Sequence, residues 1–268
     1  MKNLLVSILF VLLGTQMSAQ DINKAVEAYQ AGDYATALKE LKPYAEQGNA
    51  PSQLILGFMY TNGNGVLKDY AEALKWYQLS ADQGNEFAQQ KLGRIYRDGE
   101  GVLKDYKEAV KWFRLSADQG NANAQLSLGV MYANGEGVLK DYAEALKWYQ
   151  LSADQGNATA QYNLGLMYTY GDGVLKDYKE AVKWWRLSAE QGNADAQNGL
   201  GFMHKKGNGV LQDNLTAHMW YNIASANGNE KSGDWRDELA DLMTLEAIEK
   251  ATAMARECMK SDYKKCGY

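Results

Sequence analysis

The run Gly65-Val66-Leu67-Lys68-Asp69-Tyr70-Ala71-Glu72-Ala73-Leu74-Lys75-Trp76-Tyr77-Gln78-Leu79-Ser80-Ala81-Asp82-Gln83-Gly84-Asn85 returns unchanged as residues 137–157. A related run, residues 101–112, returns unchanged as 173–184. Gly-Val-Leu opens at Gly65, Gly101, Gly137, Gly173 and Gly209, always 36 residues on. Self-similarity at a fixed period of this length marks an array of stacked supersecondary units. Exact identity recurs only at every second unit, so the copied length is 72 residues, the mark of tandem duplication. Positions that differ between copies therefore say more about function than positions that agree.

Each unit holds two helical patterns. In the second, Tyr142, Ala145, Trp148, Tyr149 and Ser152 form one stripe, with Glu144, Lys147 and Gln150 largely outside it. The first, such as residues 124–132, carries an inward glycine (Gly57, Gly93, Gly129, Gly165, Gly201) where glycine costs about 1 kcal/mol relative to alanine. A glycine repeated at that cost predicts close helix approach. Asp69, Asp105, Asp141 and Asp177, each with a Glu three residues on, read as N-caps of carboxylate capping boxes. Gly84, Gly120, Gly156 and Gly192 supply left-handed helix ends, and the asparagine after each caps the next helix. Connections this short make successive helices antiparallel neighbours.

The combined pattern is Ala-Gln-x-x-Leu-Gly-x-Met-Tyr-x-x-Gly-x-Gly-Val, then Asp-Tyr-x-Glu-Ala-x-Lys-Trp and Ala-x-Gln-Gly-Asn. It resembles the Sel-one-like repeat (SLR), a branch of the tetratricopeptide-like superfamily. Five units fill residues 50–229, and residues 21–49 look like an N-terminal, more tetratricopeptide-like unit. The last unit drifts, with His204 for the repeat tyrosine and Thr216 for the capping glutamate. The resemblance implies an all-α, right-handed superhelical solenoid of antiparallel helix pairs, whose first helices line a concave face that receives partners.

The variable positions fall on one side of the first helix. They are Leu54, Ile55, Phe58, Thr61 and Asn62, then Gln90, Lys91, Arg94, Arg97 and Asp98, and their counterparts to residues 198–206. Within this set Phe58, Arg94, Arg97, Tyr162, Tyr170, Phe202 and Lys206 combine aromatic and basic groups of the kinds enriched in binding hot spots, and they are the candidate partner-binding residues. Unselected drift on an exposed face, with Phe58 and Leu166 packing between units, is the plainer account of the same variation.

Residues 1–20 join Lys2 to an apolar run at 4–13 and a small, polar stretch ending Ser18-Ala19-Gln20, which reads as a secretory signal; a spanning anchor needs about 20 apolar residues. The expected location is the periplasm or beyond. A net charge of −5 provides no broad field for nucleic acid. Two cysteines and two histidines are a poor metal inventory, and no cofactor is expected. The ladder Trp76, Trp112, Trp148, Trp184 and Trp220 recurs once per helix pair and reads as core between repeats rather than a carbohydrate platform.

After Asn229 the period ends. Residues 230–268 read as capping helices, with Thr244 opening the longer one, and a tail in which Cys258 and Cys266 either form a disulfide or stay free thiols. Ser261-Asp262-Tyr263-Lys264 fits the Ser-x-x-Lys pattern of penicillin-recognising enzymes but lacks their partner motifs. Cysteine-rich exported SLR proteins imply weak penicillin-binding or β-lactamase-like activity, yet the repeats here contain no cysteine. The reading is a non-catalytic scaffold for a protein or peptide partner. A structural spacer is the remaining alternative.

Overall fold

A computed structural model describes residues 19–266, so the signal expected at 1–20 lies almost wholly outside the described residues. Those residues form fourteen helices and no strand: α1 (Ala19–Ala31), α2 (Tyr34–Glu46), α3 (Ala50–Asn62), α4 (Tyr70–Asp82), α5 (Glu86–Asp98), α6 (Tyr106–Asp118), α7 (Ala122–Asn134), α8 (Tyr142–Asp154), α9 (Ala158–Tyr170), α10 (Tyr178–Ala189), α11 (Ala194–Lys206), α12 (Asn214–Ala226), α13 (Glu230–Ala240) and α14 (Leu245–Lys260). The fold is an all-α array of helix pairs repeating every 36 residues. The chain divides into two compact units. The first runs to Ala124 and includes Glu136–Val138; the second comprises Gln125–Gly135 and everything from Leu139.

The repeat helices start on the expected side-chain caps, and Gly84, Gly120, Gly156 and Gly192 follow the second helices with positive φ. Asp69 accepts from the backbone N–H groups of Ala71 and Glu72, and Asn85 from Ala88, with the same pattern at Asp141, Asp177, Asn157 and Asn193. The reciprocal half of the capping box is not made. The N–H of Asp69 donates to the carbonyl of Tyr60 at 3.0 Å, as Asp105, Asp177 and Asp213 do to Tyr96, Tyr168 and His204. With that donor satisfied, Glu72, Glu108 and Glu180 turn to Lys75, Lys111 and Lys183, each about 3.0–3.1 Å away. These exposed pairs contribute little. The Asp N–H bond joins the second helix to the end of the first, and it survives where His204 replaces tyrosine because it uses backbone alone.

Close approach is what the inward glycines permit. A Cβ at Gly57, Gly93, Gly129, Gly165 or Gly201 would clash with the ring of Tyr77, Phe113, Tyr149, Trp185 or Tyr221, the aromatic of the second helix twenty residues on. Gly65 packs on the Tyr34 backbone with φ of +71°, so a side chain there is excluded twice over.

Successive pairs are tied by an amide relay whose inner glutamine is buried. Gln53 donates from Nε2 to the Ala45 carbonyl at 3.0 Å, and its Oε1 accepts from Nε2 of Gln83 at 2.8 Å. In the second unit Gln161 binds Ala153 and Gln191 in the same way, and Gln197 binds Ala189 and Asn227. Beside the relay, the buried hydroxyls of Ser80, Ser116 and Ser188 donate to the carbonyls of Ala50, Glu86 and Ala158, each at 2.7 Å. A buried amide left unpaired costs about 1–3 kcal/mol, so full pairing lets glutamine sit in this interior.

The tryptophan ladder is core. Trp76 joins Leu41, Ile55, Leu56 and Met59; Trp112 joins Leu54, Leu92 and Ile95; Trp184 joins Tyr149, Leu164 and Met167. At the C-terminal end Trp220, Met219 and Ile223 of α12 pack with Ala255 and Cys258 of α14, while Tyr221 meets Leu239 and Trp235 of α13. Thr244 caps α14 through the N–H of Ala247. Beyond α14 the chain turns back through Asp262 and Tyr263, both with positive φ, and Cys258 and Cys266 stand as a disulfide with Cα atoms 4.5 Å apart.

Candidate functional site

The variable first-helix positions sort by register. Leu54 and Ile55 on α3 are buried, while Phe58 is half-buried, edge-on to the Tyr77 ring with centroids 5.7 Å apart. On α5, Lys91 takes the register of Ile55, partly buried, its ammonium 4.9 Å above the Phe58 ring. Arg94, one turn on, is exposed. Arg97 is engaged: Nε and Nη2 donate to Asp98 at 2.7 and 3.0 Å, and its guanidinium lies 6.0 Å from the Phe113 centroid. Phe58, Lys91 and Arg94 thus share one patch of the first unit, and Arg97 stands with its own carboxylate. The 36-residue spacing aligns Lys91 with Ile55, Ser127, Asn163 and Gly199, but only the folded chain shows that three of those positions are buried.

In the second unit the candidates divide. Tyr162 is structural in its surroundings: its ring stacks on Trp185 with centroids 6.4 Å apart, and its carbonyl accepts from the Trp185 indole N–H at 3.1 Å. Tyr170, 67% exposed, and Phe202, 39% exposed, stand open, as does Lys206. Lys205 beside it reaches Glu238 of α13 at 3.9 Å.

Local electrostatics follow burial. The Lys91 ammonium is pulled down to about 8, first by burial and then by the Arg94 charge, with Glu100 opposing. The Asp98 carboxyl is held below its usual range mainly by the Arg97 hydrogen bond. Burial lowers both His204 and His218. Ser261 closes α14: its hydroxyl donates to the Cys258 carbonyl at 2.8 Å and accepts from the Lys265 N–H at 2.9 Å. A serine spent on the C-terminal end of a helix is the reverse of the buried helix start that Ser-x-x-Lys chemistry requires.

The Sel1 repeat profile matches residues 50–85, 87–121, 122–157, 158–193 and 194–229. The chain belongs to the Sel1 repeat family. Among solved Sel1 structures, a protective antigen of uropathogenic Escherichia coli with an SLR fold is 34% identical with a TM-score of 0.80. The match covers 91% of this chain and 53% of that one, so this chain spans about half the length of the antigen. A Sel1 repeat protein from Oxalobacter formigenes is 37% identical with a TM-score of 0.74, over 78% of this chain and 86% of that one. No curated protein matches the sequence. Among the described residues no helix is long and apolar enough to cross a membrane.

Proposed function

We propose that this Sel1 repeat protein is an exported scaffold that holds a protein or peptide partner against the exposed face of its first helices, without catalysis. The observation that carries the reading is the sorting of the variable positions. The second helices α4 and α8 agree to the residue while the first helices α3 and α7 differ, and the exposed first-helix positions carry Arg94, Tyr170, Phe202 and Lys206 beside Asn62, Asp98 and Asn134. Drift alone has no reason to collect aromatic and basic groups at solvent-facing positions. Sel1 repeats serve generally in protein–protein interaction, which agrees with this use of the face. The apolar leader at residues 4–13 and the cysteine pair at bonding distance favour an oxidising, extracytoplasmic compartment.

The test is cross-linked capture from the native envelope and medium with the mature chain and two variants. One carries Phe58→Ala and Arg94→Ala; the other carries Tyr170→Ala, Phe202→Ala and Lys206→Ala. A defined partner held by the parent and lost by a variant of unchanged helical content supports the reading. Equal capture by all three chains, or capture by none, rejects it in favour of a spacer.

A further inference from the structure

We propose that Lys91 and Arg94 on α5, with the Phe58 ring on α3 beside them, form a binding site for the carboxylate of an acidic peptide segment. This rests on the scaffold reading and names the chemistry of its partner within the first unit.

The register makes the first argument. The equivalents of Lys91 in the other repeats are Ile55, Ser127, Asn163 and Gly199, none of them charged, and Ile55, Ser127 and Gly199 are buried. A lysine here is a charge placed where the fold expects none. Its environment makes the second. Phe58 lies under the ammonium and Tyr77 lies behind Phe58, with the Tyr77 hydroxyl turned to Thr61 at 3.1 Å. Neither Lys91 nor Arg94 has a hydrogen bond or an ion pair among the described residues, and the two cations repel each other one turn apart. The depressed proton affinity of Lys91 agrees with that geometry and records that Glu100 compensates it only in part.

An anion seated between the two groups would offset both the desolvation of Lys91 and the repulsion from Arg94. A buried charge is tolerated when it is paired. The aromatic shelf asks for an apolar side chain next to the acid, which a peptide supplies. A nucleic acid backbone fits poorly, because Asp98 and Glu100 close the cationic patch after two residues and the chain is acidic overall.

The test uses the full mature chain and a fluorescent, amidated peptide with alternating Glu and Leu residues. Its Gln counterpart, a Gln peptide with a free C-terminal carboxylate, and a thymidine oligonucleotide complete the set. Anisotropy titrations should show the Glu peptide binding the parent, with at least tenfold loss for the Gln peptide and for Lys91→Met or Arg94→Gln, and partial recovery in Lys91→Arg. Binding of the free-carboxylate peptide instead would assign the site to a chain terminus. Calorimetry at pH 8.5 in two buffers of different ionisation enthalpy should show proton uptake on binding, which Lys91→Met abolishes. No binding of either carboxylate peptide, binding unchanged in both variants, or binding of the oligonucleotide alone would overturn the site. Should the site fail while the Tyr170, Phe202 and Lys206 variant still loses its captured partner, the scaffold reading stands without it.

Discussion

The indole of Trp185 on α10 fills the space that Gly199 leaves bare on α11: a Cβ at 199 would stand 2.7 Å from the ring. The other four repeats carry Tyr77, Phe113, Tyr149 or Tyr221 at the position of Trp185, and the larger ring reaches one helix further. Two variable positions are therefore one steric unit, and the change at 199 needs no partner to explain it.

Gly199→Val should destabilise the chain by about 1–3 kcal/mol through overpacking. In a Trp185→Tyr background the same change should cost less, because the smaller ring vacates the site. Thermal unfolding of the double-mutant cycle measures the coupling, and additive effects would refute the steric link.

Gln161→Leu should cost about 1–3 kcal/mol, since it removes two hydrogen bonds across the junction at once, although the Ala153 carbonyl still accepts from the Gly156 N–H and the exposed Gln191 amide still reaches Leu187. Ser188→Ala, which removes one neutral hydrogen bond to Ala158, should cost nearer 1 kcal/mol. Urea titrations that rank the two in the opposite order would show that the relay is not what ties these pairs.

Lys91→Met should raise the melting temperature at pH 7. The folded-state ammonium titrates at about 8, below the ordinary lysine value of 10.5, so the folded chain holds its proton less tightly than the unfolded chain. Parental stability then carries the full penalty below pH 8 and regains it as pH rises from about 8 to 10.5. The groups acting on the ammonium are Arg94 and Glu100, with the Phe58 ring beneath it, and the variant leaves them all in place. Melting curves between pH 7 and 10 should converge for parent and variant, and parallel curves would contradict the assignment.

Reduction of the Cys258–Cys266 bond should expose the tail while the repeats stay folded. The closed loop is short, and such a bond is worth about 2–3 kcal/mol by loop length. The tail also holds on through the Tyr263 hydroxyl, which donates to Asn227 at 3.0 Å. Trypsin should cut at Lys264 and Lys265 only after reduction, with helical content preserved. Global loss of helix on reduction would show that the cap depends on the bond.

Most of the architecture was legible because the repeat prints the same local chemistry several times. Asp69 and Asn85 announce their caps, and Gly57 announces a close approach whose partner, an aromatic ring, follows twenty residues later at every copy. The capping box misled in one respect: spacing places Glu72 within reach of the Asp69 N–H, but only the folded chain shows that Tyr60 has already taken that donor. The candidate face was legible as a list of positions and illegible as a surface. Arg94 and Arg97 look alike in the sequence, yet one is open and the other is forked onto Asp98. Tyr162 and Tyr170 look alike too, and one stacks on Trp185 while the other stands in solvent. Whether such a side chain is covered depends on the groups that neighbouring helices bring against it, such as Trp185 against Tyr162, which no single helix pattern contains.

The glutamine relay has a consequence for how such a gene can change. Gln53, Gln161 and Gln197 each present the same amide to the same kind of carbonyl, so unequal crossover between copies yields a new junction whose hydrogen bonds are already satisfied. Array length can drift without passing through a misfolded intermediate. The seam between Trp185 and Gly199 is the exception, since a crossover that separates them sets a bulky ring against a side chain. A crossover within that seam would therefore cost stability that a crossover elsewhere in the array would not.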